Sequence, residues 1–240
     1  MLIGKKFILF DMDGTLIDSV GMWNEVDRLF IKALGGNADG TDVQAIRDAK
    51  LREYKASNDP YQEYCAFIGK KYGSSLSPEE LVKLRYSISL EFTAKAIDYK
   101  PLADKFLHVL KSRGYTLAIV STTKRSNMEA YRTKNANIIS KAPIDKIFSA
   151  VYTREDAKEI KPSPEIYNRV LSELGATEEE CLIFEDSIVG VEAANNAGID
   201  VVAMYDKYSE ADRDKIIPRV KVYFNDYKEA LRAIGAEDEI

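Results

Sequence analysis

Phe7-Ile8-Leu9-Phe10-Asp11-Met12-Asp13-Gly14-Thr15-Leu16 is the stretch whose reading decides the fold: four apolar residues run directly into two carboxylates one residue apart. An apolar run of this length followed by a turn residue reads as a buried strand, and Gly14 supplies the turn. Asp11 and Asp13 then stand at the carboxyl end of that strand. Alternate residues of extended chain point the same way, so both side chains can face one site, where two unpaired like charges call for a cation. A calcium loop is the competing reading of Asp-x-Asp-Gly. It requires further oxygen ligands, flanking helices and a Glu at the twelfth position, whereas a buried strand comes first here and Met22, followed by Trp23, is twelfth from Asp11.

The remaining composition narrows the class. With 240 residues and 45% hydrophobic content the chain can bury a full core, as one large domain or one domain with a smaller insert. No apolar run approaches membrane-spanning length, and the short stretch after Lys5-Lys6 is too brief for a signal peptide, so no membrane partner and a cytoplasmic location are expected. A formal charge of -5 without a basic stripe speaks against nucleic acid and for a small-molecule substrate. Cys65 and Cys181 sit among apolar neighbours and read as buried reduced thiols. His108 is the only histidine and falls in an apolar helical pattern, which predicts packing and excludes a serine–histidine triad. Oligomeric state is not legible.

From Ser19 to about Ile97 the apolar residues recur at helical spacing, with four starts marked by Ser19, by Thr41 with Gln44, by Asp59 with Pro60, and by Ser77-Pro78 with Glu80. This predicts an all-α insert, residues 18–98, inside a core made of residues 1–17 and 99–240. From Tyr99 onward strands and helices alternate: helix Leu102 to Arg113, strand Thr116 to Val120, a helix near Ser126 to Lys134, a short strand near Ile147 to Val151, a helix from Ser163-Pro164-Glu165 to Leu174, strand Cys181 to Phe184, helix Gly190 to Ala197, strand Val201 to Met204, a weaker strand Val220 to Phe224 and a last helix from Tyr227. Such alternation predicts an α/β fold with a doubly wound, mostly parallel, Rossmann-like sheet. Ligands of such sheets bind outside the carboxyl ends of the strands. Three strand ends carry polar residues, Asp11/Asp13, Ser121/Thr122 and Glu185/Asp186, and Lys161 lies in a loop held extended by Pro162 and Pro164.

That set can transfer a phosphoryl group. Asp11 is the natural nucleophile, dividing hydrolysis into two transfers through an acyl phosphate. Asp13 can protonate the departing alkoxide and then deprotonate water. Magnesium is the expected cofactor, with Asp186 the best second ligand beside the Asp11/Asp13 pair. Ser121 at a strand-to-helix turn can hydrogen-bond a phosphoryl oxygen, although such residues are usually only caps. Lys161 can neutralise the transferring group, although most lysines are solvated surface charges, and Glu185-Asp186 can equally be a helix N-terminus. Arg47, Lys50 and Arg52 are candidate substrate contacts of the insert, with a solvated helix face as the stronger reading. Trp23 and Met22 either line the pocket or pack.

Asp11-Met12-Asp13-Gly14-Thr15, Val120-Ser121-Thr122, Lys161-Pro162 and Glu185-Asp186-Ser187 resemble, in order and spacing, the four motifs of the haloacid dehalogenase superfamily of phosphohydrolases. The match spans the chain. The helical insert after the first motif, with Lys161 to Tyr167 and Phe184 to Val191, looks like the β-phosphoglucomutase and phosphoglycolate phosphatase branch, which carries a C1-type cap. The resemblance implies Asp11 as nucleophile, Asp13 as acid–base, and Ser121 and Lys161 as phosphate contacts; by position, Thr122 and Trp23 are further expected substrate contacts. It implies magnesium held by Asp11, Asp186 and the Asp13 carbonyl, with Glu185 an adjunct ligand or one layer further out.

Two departures refine it. Related mutases carry a histidine where Trp23 stands, and haloacid dehalogenases proper lack the acid at Asp13. The expected activity is therefore a magnesium-dependent phosphatase of a small phosphorylated metabolite, a sugar phosphate or similar ester. A sugar phosphomutase is the alternative, and a receiver-like phospho-aspartate signalling module is the non-enzyme alternative.

Overall fold

The computed structural model describes residues 2–240, Glu91 and Lys95 by their backbone alone. β1 (Phe7–Phe10) is followed by four helices, α1 (Val20–Ala33), α2 (Val43–Glu53), α3 (Pro60–Lys71) and α4 (Pro78–Lys95). After α5 (Ala103–Ser112) come β2 (Thr116–Val120), α6 (Arg125–Thr133), the short α7 (Ala136–Lys141) and α8 (Ile144–Ile147), and β3 (Ala150–Tyr152). Then follow α9 (Glu165–Leu174), β4 (Cys181–Glu185), α10 (Ile188–Asn196), β5 (Asp200–Met204), α11 (Arg213–Ile216), β6 (Val222–Phe224) and α12 (Tyr227–Ala233). The chain divides into two compact units, Met1–Ser19 with Ile97–Ile240, and Val20–Ala96. No described helix is long and apolar enough to cross a membrane.

The larger unit is a six-stranded parallel sheet in the order β3-β2-β1-β4-β5-β6. It is the doubly wound α/β architecture that the alternation of elements predicts. β1 lies at its centre, and the order reverses between β1 and β4, which opens the crevice where such sheets take ligands. Both faces of the central strands are covered. Leu9, Ala118 and Ile183 pack with Val170, Val191 and Ala194 on one side, while Phe10 stacks on Phe184 at 4.9 Å and meets Phe106 edge-on at 6.4 Å on the other. That is why these strands read as continuous apolar runs and not as alternating ones. The register sets Phe10 opposite both Ile119 and Phe184, so the three strands end nearly level.

Three sequence expectations change here. Residues 144–147 form a helical turn after Pro143, and the third strand starts only at Ala150. Asp42 caps α2, its carboxylate accepting the Ala45 amide at 2.9 Å, in place of Thr41. His108 is exposed on α5, its Nε2 2.9 Å from the Lys141 carbonyl oxygen, because the apolar face of α5 passes through Phe106, Leu107 and Leu110 instead. Cys65 and Cys181 are buried and unbridged.

The helical unit has its own core of Phe30, Ile31, Tyr64, Ile68 and Leu81. Asp59 caps α3, and Ser77 with Glu80 forms a reciprocal capping box on α4. Beside the core is a buried charge cluster. Asp27 accepts from Arg47 Nη1 at 2.5 Å and from Arg85 Nε at 2.8 Å, Arg47 Nη2 also donates to Asn24 Oδ1, and Arg85 stacks over the Trp23 ring at 5.2 Å. Arg47 is thus neither a solvated charge nor free to reach a ligand, because burial commits its guanidinium to Asp27.

Burial pushes the Asp27 carboxyl up, but Arg85 and Arg47 together outweigh it and hold the group below its ordinary value. A depressed carboxyl contributes stability that is present above its unfolded pKa and lost as pH falls through its folded one. Asp27→Asn leaves two buried guanidinium groups without their counter-charge and is expected to cost about 3–5 kcal/mol. Urea unfolding at neutral pH measures this, and the gap to the wild type is expected to narrow as pH falls below the ordinary carboxylate range and through the lowered value of folded Asp27.

Candidate active site

The candidate site is built at the ends of β1, β2 and β4 within the larger unit. The Lys161 ammonium donates to Asp11 Oδ1 at 2.7 Å, to Glu185 Oε1 at 2.7 Å and to the Val120 carbonyl at 2.9 Å, and lies 5.3 Å from the Tyr167 ring centroid. Glu185 uses its second oxygen to accept from the Asp186 amide at 3.0 Å, the Ser187 amide at 3.2 Å and the Ser187 hydroxyl at 3.1 Å. Room for this carboxylate exists because residue 190 is glycine; a Cβ there would come within 1.9 Å of Glu185 Cδ. Asp186 sits beside them, accepting from the Thr15 hydroxyl at 2.7 Å. It lies against the turn at Gly14, whose φ of +86° suits glycine and where a Cβ would approach Asp186 Oδ2 to 2.5 Å.

Asp11, Glu185, Asp186 and Lys161 are all buried, with Lys161 paired to Asp11 and Glu185 and the charge of Lys100 acting on Asp186. Burial pushes Asp11 up to about 7, Glu185 and Asp13 add to the rise, and Lys161 opposes it. Asp186 is pushed well above the ordinary range by burial, then by Glu185 and Asp11. Burial disfavours the Lys161 cation, but its two carboxylate partners outweigh that and raise it.

Asp13 is placed differently. Its Oδ1 accepts from the Ser19 hydroxyl at 2.5 Å and the Tyr131 hydroxyl at 3.1 Å, and its Oδ2 from the Thr123 hydroxyl. Asp13 is thus engaged by three hydroxyls while its charge still acts on Asp11, and Glu185 is engaged by Lys161 and its own following turn. Among the described residues no three carboxylate, histidine or cysteine side chains group as a self-sufficient metal cage.

Ser121 is buried, and its hydroxyl accepts from the Thr123 amide at 3.2 Å, closing the turn after β2. With Thr122, Arg154, Ile160 and Lys161 it lines a small cleft beside the charged cluster. Trp23 belongs to the helical unit, on α1, where its ring carries Arg85.

Sequence reading missed Thr15, Thr123, Tyr131 and Asp206. The last is a buried carboxylate directly after β5, paired with Lys100 at 2.9 Å, and is one of the charges acting on Asp186. The strand-end rule that picked out Asp11 and Glu185 would have found Asp206 had it been applied to the strand that ends at Met204.

Residues 8–204 match the family model described as haloacid dehalogenase-like hydrolase. Protein CbbY of Rhodobacter capsulatus is 27% identical over 226 residues, covering 86% of this chain and 88% of that protein. The phosphorylated carbohydrates phosphatase of Thermotoga maritima is 27% identical over 194 residues, covering 80% and 82%. In three dimensions the crystal structure of CbbY from Rhodobacter sphaeroides in complex with phosphate superposes with a TM-score of 0.75 at 23% identity, over 94% of this chain and 96% of that one, a likeness of fold.

Gly190→Ala tests the close packing of Glu185. The added methyl is expected to displace that carboxylate and cost about 1–3 kcal/mol, the usual range for overpacking, seen as a lowered thermal midpoint.

Proposed function

Because the chain belongs to the haloacid dehalogenase-like hydrolases, we propose that it is a magnesium-dependent phosphatase acting on a small phosphorylated metabolite, a sugar phosphate or similar alcohol ester, through an aspartyl phosphate on Asp11. The observation that carries the proposal is the buried cluster in which Lys161 joins Asp11 to Glu185 while Asp13 is held by hydroxyls. Two carboxylates of the first motif thus have separate surroundings, as a nucleophile and an acid–base require. The receiver-like alternative gives way to the hydrolase family match, and the named phosphatase among the relatives favours transfer to water over transfer to a sugar.

The donor set suits magnesium. Asp11 and Asp186 are hard oxygen donors, both raised first by burial, with neighbouring carboxylates adding to the rise. Magnesium takes one or two carboxylates together with water and substrate phosphate, so a three-sided protein cage is not required. Asp11, Asp186 and the Asp13 carbonyl would hold it, and when bound it supplies positive charge to the transferring phosphoryl group.

The protein's own groups account for the rest. An Asp11 carboxylate oxygen forms a bond to phosphorus as the ester oxygen departs, and Asp13 gives that oxygen its proton. Water then attacks the phosphorus of the acyl phosphate, Asp13 takes the proton released, and Asp11 is regenerated with free phosphate. Lys161 orients Asp11 and balances charge on the phosphoryl oxygens, Ser121 and Thr122 contact the phosphoryl group from the turn after β2, and Glu185 fixes Lys161. The helical unit, including Trp23, serves as the cap that chooses the alcohol, and the enzyme works in the cytoplasm without nucleic-acid or membrane partners.

A panel of sugar phosphates and other phosphate esters with magnesium is expected to yield inorganic phosphate, with release abolished by chelator and restored by added magnesium. Conversion of a sugar phosphate to its isomer without phosphate release would instead establish a mutase. Asp11→Asn is expected to lower kcat by at least about 10³-fold, the scale on which loss of a nucleophile acts; unchanged turnover would exclude the aspartyl-phosphate route.

A further inference from the structure

We infer that Tyr131 is a positioning residue of the acid–base, holding the Asp13 carboxyl in the orientation from which it protonates the leaving alcohol. The inference rests on the phosphatase reading and goes beyond the motif residues. Tyr131 lies on α6, which begins five residues after β2 ends, and its side chain is completely buried. A buried tyrosine needs a partner for its hydroxyl, and ordinarily a backbone carbonyl suffices. Here the hydroxyl reaches Asp13 Oδ1, 3.1 Å away, from 118 residues further along the chain.

A carboxylate is a planar fork, and it is fixed only when both of its oxygens are held. Thr123, just before α6, holds Oδ2, while Tyr131 on the same helix holds Oδ1 together with Ser19. The Thr123 hydroxyl is itself set by its turn, since the Thr123 amide donates to Ser121 Oγ and its carbonyl accepts the Arg154 amide. Two donors from one rigid segment therefore clamp both oxygens of Asp13. Tyr131 is completely buried, so the two torsions that separate its oxygen from the helix backbone are fixed by packing. Proton transfer depends steeply on such placement; a displacement of about 1 Å at a reacting group can cost 10²-fold.

The test exploits the leaving group. An alkyl phosphate needs a proton on the departing oxygen, whereas p-nitrophenyl phosphate releases a phenolate that is stable without one. kcat/KM reports events up to phosphoryl transfer, before water attacks, so it isolates that protonation. Wild type, Tyr131→Phe and Thr123→Val are assayed with magnesium against p-nitrophenyl phosphate and against glycerol, ribose and glucose phosphates. Tyr131→Phe is expected to lower kcat/KM roughly tenfold to a hundredfold on the alkyl esters and by less than about threefold on p-nitrophenyl phosphate. Thr123→Val is expected to show the same selective loss. In an Asp13→Asn background Tyr131→Phe is expected to change neither, since the two substitutions remove one shared function.

Equal losses on both ester classes, or no loss on either, would overturn the positioning role, and so would a further selective loss in the Asp13→Asn background. A lowered thermal midpoint with equal losses would assign Tyr131 to packing alone. A wild type that releases phosphate from none of the esters fails differently: it removes the phosphatase reading, and this inference with it.

Discussion

Lys161 is shared between Asp11, Glu185 and the Val120 carbonyl, so one buried cation ties the ends of β1, β4 and β2 to the loop that leads into α9. Burying an ammonium is costly unless it is fully partnered, and here every direction of donation is met. The carboxylates depend on it in turn: without that charge, Asp11 and Glu185 would be two like groups buried at the same place. The parallel register that brings Phe10 level with Ile119 and Phe184 is what makes the three partners coincide. Sheet geometry and site electrostatics are in this sense the same constraint.

The charges do not balance within the cluster. Asp186 adds a further buried carboxylate, raised first by burial and then by neighbouring acids, and relieved in part by Lys100. In the proposed reaction a divalent cation shared with a phosphate ester would answer that excess. Asp13 is placed differently, with the hydroxyls of Ser19, Thr123 and Tyr131 donating to its two oxygens while its charge still acts on Asp11.

What could be read in the sequence was whatever is local. Four apolar residues followed by Asp11, the Lys161-Pro162 loop and the Glu185-Asp186 pair each announce a strand end or a fixed turn within a few positions, and the sheet topology brings strand ends together. The surroundings of Asp13 were not legible, because Thr123 and Tyr131 lie 110 and 118 residues away and look like an ordinary turn residue and an ordinary core aromatic. Arg47 misled for a similar reason. On a helix otherwise rich in charge it reads as solvated, and only the approach of Asp27 from α1 shows that it is interior. The strand expected from Ile147 began late because apolar periodicity alone does not separate a short strand from the helical turn that Pro143 initiates.

The central position of the first strand also governs how the chain can acquire its structure. β1 pairs with β2 across the whole helical unit and with β4 some 174 positions onward, a separation spanned by Phe7 and Cys181. Contacts so distant close large loops and form slowly, whereas the four consecutive helices assemble from near neighbours. During synthesis the ribosome therefore releases the opening strand long before its second partner exists, and Phe7 to Phe10 must wait, apolar and unpaired on one edge, until the chain has grown past residue 185. Vulnerability to aggregation is thus concentrated in the segment that runs into Asp11.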